Sequence, residues 1–170
     1  MQTILLVDGY NMIGAWKELR PLRDTNFEEA RNRLLDLMAE YKAAQGVRVI
    51  VVFDAHLVPG VQQTYVQNGV EIIYTRKNET ADERIEKLTN ELKGRKIQIY
   101  VATSDMTEQN VVFGNGALRK SARELEIEME IIRLNISAEV KTTHEEKPKS
   151  RIALSKEVEL AFEKWRRGLK

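Results

Sequence analysis

The sequence predicts an α/β fold around a mainly parallel sheet, and three observations carry that expectation. Short runs rich in Val and Ile alternate with longer segments of helical period, as βαβ units do. A chain of 170 residues can bury one core of ordinary size, and it contains no internal repeat. Acidic or amide residues recur just past the apolar runs: Asp8 and Asn11, Asp54, Asp82 and Asp105. In an open parallel sheet the carboxyl ends of the strands share one edge, so these groups, distant along the chain, are expected to converge there.

Four runs read as strands, over residues 3–7, 47–53, 70–75 and 97–102. Thr25-Asn-Phe-Glu28 has capping-box spacing, and Ala30, Leu34, Leu37, Met38 and Tyr41 continue as a helical stripe to Gly46, which closes the first long helix. Residues 55–69 hold Pro59-Gly60 and Asn68-Gly69, turn chemistry around a short polar segment. A further helix is expected over about 81–92, with Ile85, Leu88 and Leu92 on one face and Gly94 past its end. Met106–Phe113 has room for two helical turns, and Ala117–Lys120 for a short edge strand.

Ser121-Ala-Arg-Glu124 is a second capping box, opening a helix whose stripe Leu125, Met129, Ile132 and Ile136 faces the core. Lys141–Ser150, with Pro148, reads as polar loop. Ser155 starts a last helix with Val158, Ala161, Phe162 and Trp165 packing on one side and a basic end of Lys164, Arg166, Arg167 and Lys170. The expected organisation is one domain over 1–140, a polar loop over 141–154 and a basic C-terminal helix over 155–170 packed on the same domain.

Composition narrows the function. Lys and Arg number 27 against 26 Asp and Glu, a formal net charge of +1, so any nucleic-acid surface must be local. The absence of cysteine excludes disulfides and thiolate metal sites, and two histidines leave little room for zinc. No stretch approaches the roughly 18 apolar residues of a membrane span, so the expectation is a cytoplasmic protein with no membrane partner.

Each acid has a plain structural use. Asp and Asn at a strand-to-turn junction, as in Asp8-Gly-Tyr-Asn11, bond the local backbone, and Asp54 stands in a similar place. Thr80-Ala-Asp-Glu83 is a capping box in which Glu83 serves the helix end, whereas Asp82 is not required by it. Ser104 or Asp105 can cap whatever follows the fourth strand. Taken together, acids at three or four strand ends on one edge exceed what caps explain, because like charges brought together are destabilising unless a cation neutralises them. Hard oxygen donors of this kind suit Mg²⁺.

These residues carry a resemblance. Leu5-Leu-Val-Asp8-Gly-Tyr-Asn11, Val52-Phe53-Asp54-Ala, Thr80-Ala-Asp82-Glu83, Thr103-Ser104-Asp105 and Gly116-Ala-Leu-Arg-Lys-Ser121-Ala-Arg123-Glu-Leu occur in the order found in the NYN branch of PIN-like nucleases. The chain most closely resembles the bacterial YacP family, over nearly its full length. The resemblance implies a Rossmann-like three-layer α/β/α sandwich with C-terminal helices, a divalent-metal site and hydrolysis of RNA phosphodiesters. It further implies endonucleolytic mRNA decay at the ribosome.

Carried over by position, the resemblance makes Asp8, Asp82 and Asp105 the expected ligands of one or two Mg²⁺ or Mn²⁺ ions, with Asn11 and Asp54 beside them. Glu83 adjoins this set but departs from the double aspartate of some NYN relatives. Arg76, Lys77, Arg119, Lys120 and Arg123 lie near strand ends and are the candidates for RNA phosphates. Tyr10 and Trp16 are candidates for base stacking, with core packing the alternative. The other class of answer is a catalytically silent RNA- or ribosome-binding module of the same fold, although a binder of polyanions gains nothing from a negative pocket. A phosphatase is disfavoured by the lack of an Asp-x-Asp after the first strand, and no Walker loop is present.

Overall fold

Ile4, Leu5, Leu6 and Val7 are apolar at four consecutive positions, a pattern suited to a strand covered on both faces, and all four are buried. They form the centre of β1 (Gln2–Asp8). The remaining elements of the computed structural model, which describes residues 1–55, 64–104, 116–144, 160–161 and 164–168, follow in chain order. They are α1 (Gly9–Ala15), α2 (Arg20–Thr25), α3 (Phe27–Gln45), β2 (Arg48–Phe53), β3 (Thr64–Gln67), β4 (Val70–Tyr74), α4 (Ala81–Leu92), β5 (Ile97–Ala102), β6 (Leu118–Lys120) and α5 (Ala122–His144).

The strands make one sheet in the order β3-β4-β2-β1-β5-β6. Every pairing is parallel except β3 with β4. β1 sits between β2, with Leu5 opposite Val49, and β5, with Leu5 opposite Tyr100. One face of the sheet, including Leu5, Val7, Val51 and Phe53, packs on Met12, Ile13, Leu34, Met38, Leu125 and Met129 of α1, α3 and α5. The other, including Ile4, Leu6, Ile50, Val52 and Val101, packs on Ile85 and Leu88 of α4. The result is the expected three-layer sandwich. Each fully buried aliphatic side chain contributes about 1.5–3 kcal/mol of transfer free energy, so β1 alone is a major anchor.

Four strands and three helices stand close to where periodicity put them, and the differences have local causes. The cap of α3 is Asn26, whose side chain accepts from the Glu29 N–H at 3.2 Å. Thr25 closes α2 instead, donating to the carbonyls of Pro21 and Leu22. Gly46 ends α3 in the left-handed conformation at φ 66°, as expected. β3 was hidden in the segment read as polar turn. Asn68 and Gly69, both with positive φ, join it to β4 as a two-residue hairpin, the turn that Asn-Gly favours.

α5 is longer than its stripe suggested: Leu125, Met129 and Ile132 are buried, whereas Ile136 is 46% exposed because the helix has by then run past the sheet. It continues through His144, into the stretch expected as polar loop. Met106–Phe113, residues 145–159, Phe162 and Lys170 lie outside the described residues. Residues 160–161 and 164–166 are helical, yet Trp165 is 44% exposed and does not fill the core. Its neighbour Arg166 does the docking.

Glu128, 5% exposed on α5, accepts hydrogen bonds from the Tyr41 hydroxyl at 2.7 Å and the Lys120 ammonium at 2.8 Å, and from the Arg166 guanidinium. Lys120 also donates to the Tyr41 oxygen at 2.9 Å, and both cations lie over the Tyr100 ring. Burial pushes the Glu128 carboxyl up, but Lys120 and Arg166, with the hydrogen bonds they and Tyr41 make, hold it below the usual carboxylate range. Burial drives the Lys120 ammonium down against the pull of Glu128. The cluster clasps α3, α5, β5, β6 and the C-terminal segment together.

Among the described residues Gly9 is the glycine whose missing side chain the packing demands, since a Cβ there would lie 2.2 Å from the Phe53 ring. Gly9→Ala is therefore expected to cost about 1–3 kcal/mol by overpacking, read as a lower urea midpoint. Glu128→Gln leaves the buried Lys120 and the partly buried Arg166 without their carboxylate, and the expected loss at pH 7 is about 3–5 kcal/mol. Because the folded pKa of Glu128 is depressed, its contribution is present above the ordinary glutamate range, near pH 4.3, and is lost as pH falls through the lowered folded value. Urea melts of the parent and Glu128→Gln should accordingly converge on acidification. A gap that stays constant to low pH would rule out this account.

Candidate functional site

The parallel strands β1, β2, β4, β5 and β6 end on one edge of the sheet. The chain proceeds from β1 outward to β2 and β4 on one side and returns to β5 on the other, so the direction of winding reverses beside β1. Ligands of open α/β sheets bind in the crevice at such a point. Here Asp8, Tyr10, Asn11, Asp54, Thr80, Ala81 and Asp82 line a cleft of about 410 Å³.

Each lining residue is positioned by a simple local device. Asp8 is the last residue of β1 and the N-cap of α1; 7% exposed, it accepts the Asn11 N–H at 3.3 Å. Asn11 reaches across the crevice to the end of β5, where its side-chain carbonyl accepts the Ser104 N–H at 2.6 Å and the Ser104 hydroxyl. Asp54 follows β2 and is held by two contacts of Thr75, which donates its N–H to the Phe53 carbonyl at 3.0 Å and accepts the Ala55 N–H at 2.9 Å. Asp82 sits in the first turn of α4, whose N-cap Thr80 accepts the Glu83 N–H at 3.2 Å.

The Tyr10 ring meets Phe27 edge-on at 5.5 Å and lies 5.1 Å from Phe53, which stacks on Tyr74. Burial raises the pKa of the Tyr10 hydroxyl, Arg31 beside it pulls the other way, and Asp54 adds to the rise. Trp16 is excluded as a stacking platform: it is 2% exposed and donates its indole N–H to the Ala122 carbonyl at 2.9 Å.

Asp8, Asn11, Asp54 and Asp82 are thus brought to one cleft, as their strand-end positions implied. Asp105 lies outside the described residues, the last described residue before it being Ser104. Glu83 is exposed and is not part of the cleft lining; its backbone serves the helix cap. Among the described residues no three acidic or imidazole side chains form a closed metal-sized cluster. The side-chain donors that line the cleft are nonetheless mainly oxygens, from three carboxylates, the Asn11 amide and the Tyr10 and Thr80 hydroxyls, and the carboxylates suit a hard divalent cation.

Of the basic candidates, Arg76 and Lys77 are exposed just past β4 on the same edge, Arg119 is half-buried on β6, and Arg123 is exposed and pairs with Glu126 at 3.0 Å. Lys120 is corrected. At 3% exposure, with its ammonium committed to Glu128 and Tyr41, it belongs to the core and cannot reach a phosphate. The Asn11–Ser104 bond and the Thr75 contacts were not anticipated, because each joins residues distant in sequence; the only local sign was a hydroxyl residue directly after a strand.

Comparison with known proteins agrees with this architecture. A family profile described as "YacP-like NYN domain" matches residues 5–167. The uncharacterized protein YacP of Bacillus subtilis (strain 168) is 59% identical over 165 residues, covering 97% of this chain and 97% of that one. A crystal structure of Rae1 (YacP) from Bacillus subtilis superposes with a TM-score of 0.75 at 59% identity, covering 97% of this chain and 95% of that one. A point mutant of Rae1 superposes with a TM-score of 0.76 at 54% identity, covering 99% of this chain and 96% of that one. With the profile running from Leu5 in β1 through every later strand, the cleft and Arg166, the chain belongs to the YacP-like NYN family of the PIN-like nuclease superfamily.

Proposed function

We propose that this protein is a divalent-metal-dependent endoribonuclease that cuts mRNA in the cytoplasm in a ribosome-dependent manner. The observation that supports this best is the convergence of Asp8, Asn11, Asp54 and Asp82 on one cleft at the carboxyl edge of the sheet, in a chain of a nuclease superfamily. A cleft so rich in acid is a poor surface for a polyanion unless a cation stands between them.

Asp8 and Asp82, joined by Asp105 on the family pattern, would hold one or two ions. Mg²⁺ or Mn²⁺ bound there would supply a water of lowered pKa and neutralise charge on the leaving oxygen. The chain's own part is positioning. The Asn11 N–H orients the Asp8 carboxylate, and the Asn11 side-chain carbonyl is taken by Ser104, which leaves its amide N–H groups as donors to a water or substrate oxygen. Asp54 would accept from the attacking water. Arg76, Lys77, Arg119 and Arg123 would steady the RNA backbone on either side. A net charge of +1 releases few counterions, so free RNA binds weakly, in keeping with delivery of the enzyme to its substrate by the ribosome.

Cleavage of a labelled mRNA, with and without translating ribosomes, tests the reading. The parent chain should cut in Mg²⁺ or Mn²⁺ and not in EDTA. Asp8→Asn and Asp82→Asn should each lose about a hundredfold or more, the equivalent of a few kcal/mol of transition-state stabilisation. No cutting by the parent under either condition, with RNA or ribosomes still bound, would instead make the protein a silent binding module.

A further inference from the structure

Beside the acidic cleft, two strands along the same sheet edge, lies a second concavity of about 750 Å³, within the size range of ligand sites. It is lined by Arg119, Ser121, Arg123, Glu124, Ile127 and Trp165, with Gly168 at the rim. Its chemistry differs from that of the cleft. Trp165 offers a half-open indole, Ile127 an apolar contact, and two guanidinium groups flank them. Glu124, 4% exposed, has a carboxylate oxygen, Oε2, with no hydrogen-bond partner.

A buried acceptor left without a donor carries a desolvation cost that a ligand N–H would remove. The same burial pushes the Glu124 carboxyl above its usual range, against the pull of Lys120 and Arg119. A flat ring to lie on indole, an N–H donor for a carboxylate and a phosphate for arginine together describe a nucleotide. Carboxylates accept from the exocyclic amine of cytosine, whereas uracil presents carbonyl oxygens in that position.

We infer that this groove holds one unpaired nucleotide of the RNA, its base stacked on Trp165, its exocyclic amino group donating to Glu124 and its phosphates met by Arg119 and Arg123. The inference rests on the RNA-cleaving reading above and adds a base preference to it. The groove anchors the strand that enters or leaves the cleft and biases cutting toward RNA with an amino-bearing base at a set distance from the scissile bond.

The chain has two tryptophans, and Trp16 is sealed in the core, so fluorescence quenching on ligand addition reports Trp165. Short oligocytidine and oligouridine would be titrated at low salt into the Asp82→Asn variant, which keeps the substrate uncut. Quenching by oligocytidine at about tenfold lower concentration than by oligouridine is expected. Trp165→Leu should weaken oligocytidine binding about tenfold, followed by anisotropy of labelled RNA. Glu124→Gln should abolish the preference for cytosine while retaining the quench; if that variant fails to fold, Arg123→Gln should weaken both oligonucleotides equally. Equal quenching by the two oligonucleotides, or none, overturns the inference. Cleavage by the parent without quenching removes the groove and leaves the nuclease reading intact, whereas quenching without cleavage in any condition does the reverse.

Discussion

The structure hangs on β1, a strand that must be apolar on both faces and paired on both sides. Its neighbours β2 and β5 hold it in continuous parallel register, and helices seal the sheet above and below. The last residue of so constrained a strand has little freedom of position, and that residue is Asp8. The chemistry of the cleft is therefore anchored to a strand paired on both sides and covered on both faces. Asp54 gains the same benefit from β2, and Gly9 lets the turn after Asp8 press directly against Phe53.

What was legible in the sequence followed from period and sequence neighbourhood. Unbroken apolar runs such as Ile4–Val7 and Val49–Phe53 announced strands, and acids directly after them announced the edge on which they would meet. Tertiary commitments were not legible. Lys120 looked like a surface cation because nothing near it in sequence reveals Glu128 and Tyr41 closing over it from two helices. Trp165 looked like core because an aromatic on a helical stripe usually is, yet Arg166 beside it carries the docking contact. β3 leaves little trace before Asn68-Gly69, since its one aliphatic residue, Val66, faces solvent at 64% exposure and no apolar run marks the strand.

Charge is used in two opposite ways. In the clasp around Glu128, a buried ammonium, a partly buried guanidinium and a buried carboxylate meet, and the arrangement specifies how the C-terminal segment seats more than it adds net stability. In the cleft, three carboxylates, Asp8, Asp54 and Asp82, are gathered on one open edge of the sheet. The first arrangement is turned inward and sealed, and the second faces the opening of the crevice, where a ligand can reach it.

The Asn11–Ser104 hydrogen bond joins groups 93 residues apart. At a synthesis rate of roughly 5–20 residues per second, the two partners are made on the order of 5–20 s apart. Throughout that interval β1 can pair with β2 and yet present its other side as a bare apolar edge, the kind of edge that recruits strands from other chains. The hydrogen bond that ties Asn11 across the crevice cannot form until Ser104, just past β5, has been made. A nascent chain of this protein thus depends, until β5 is made, on whatever shields the unpaired side of its central strand.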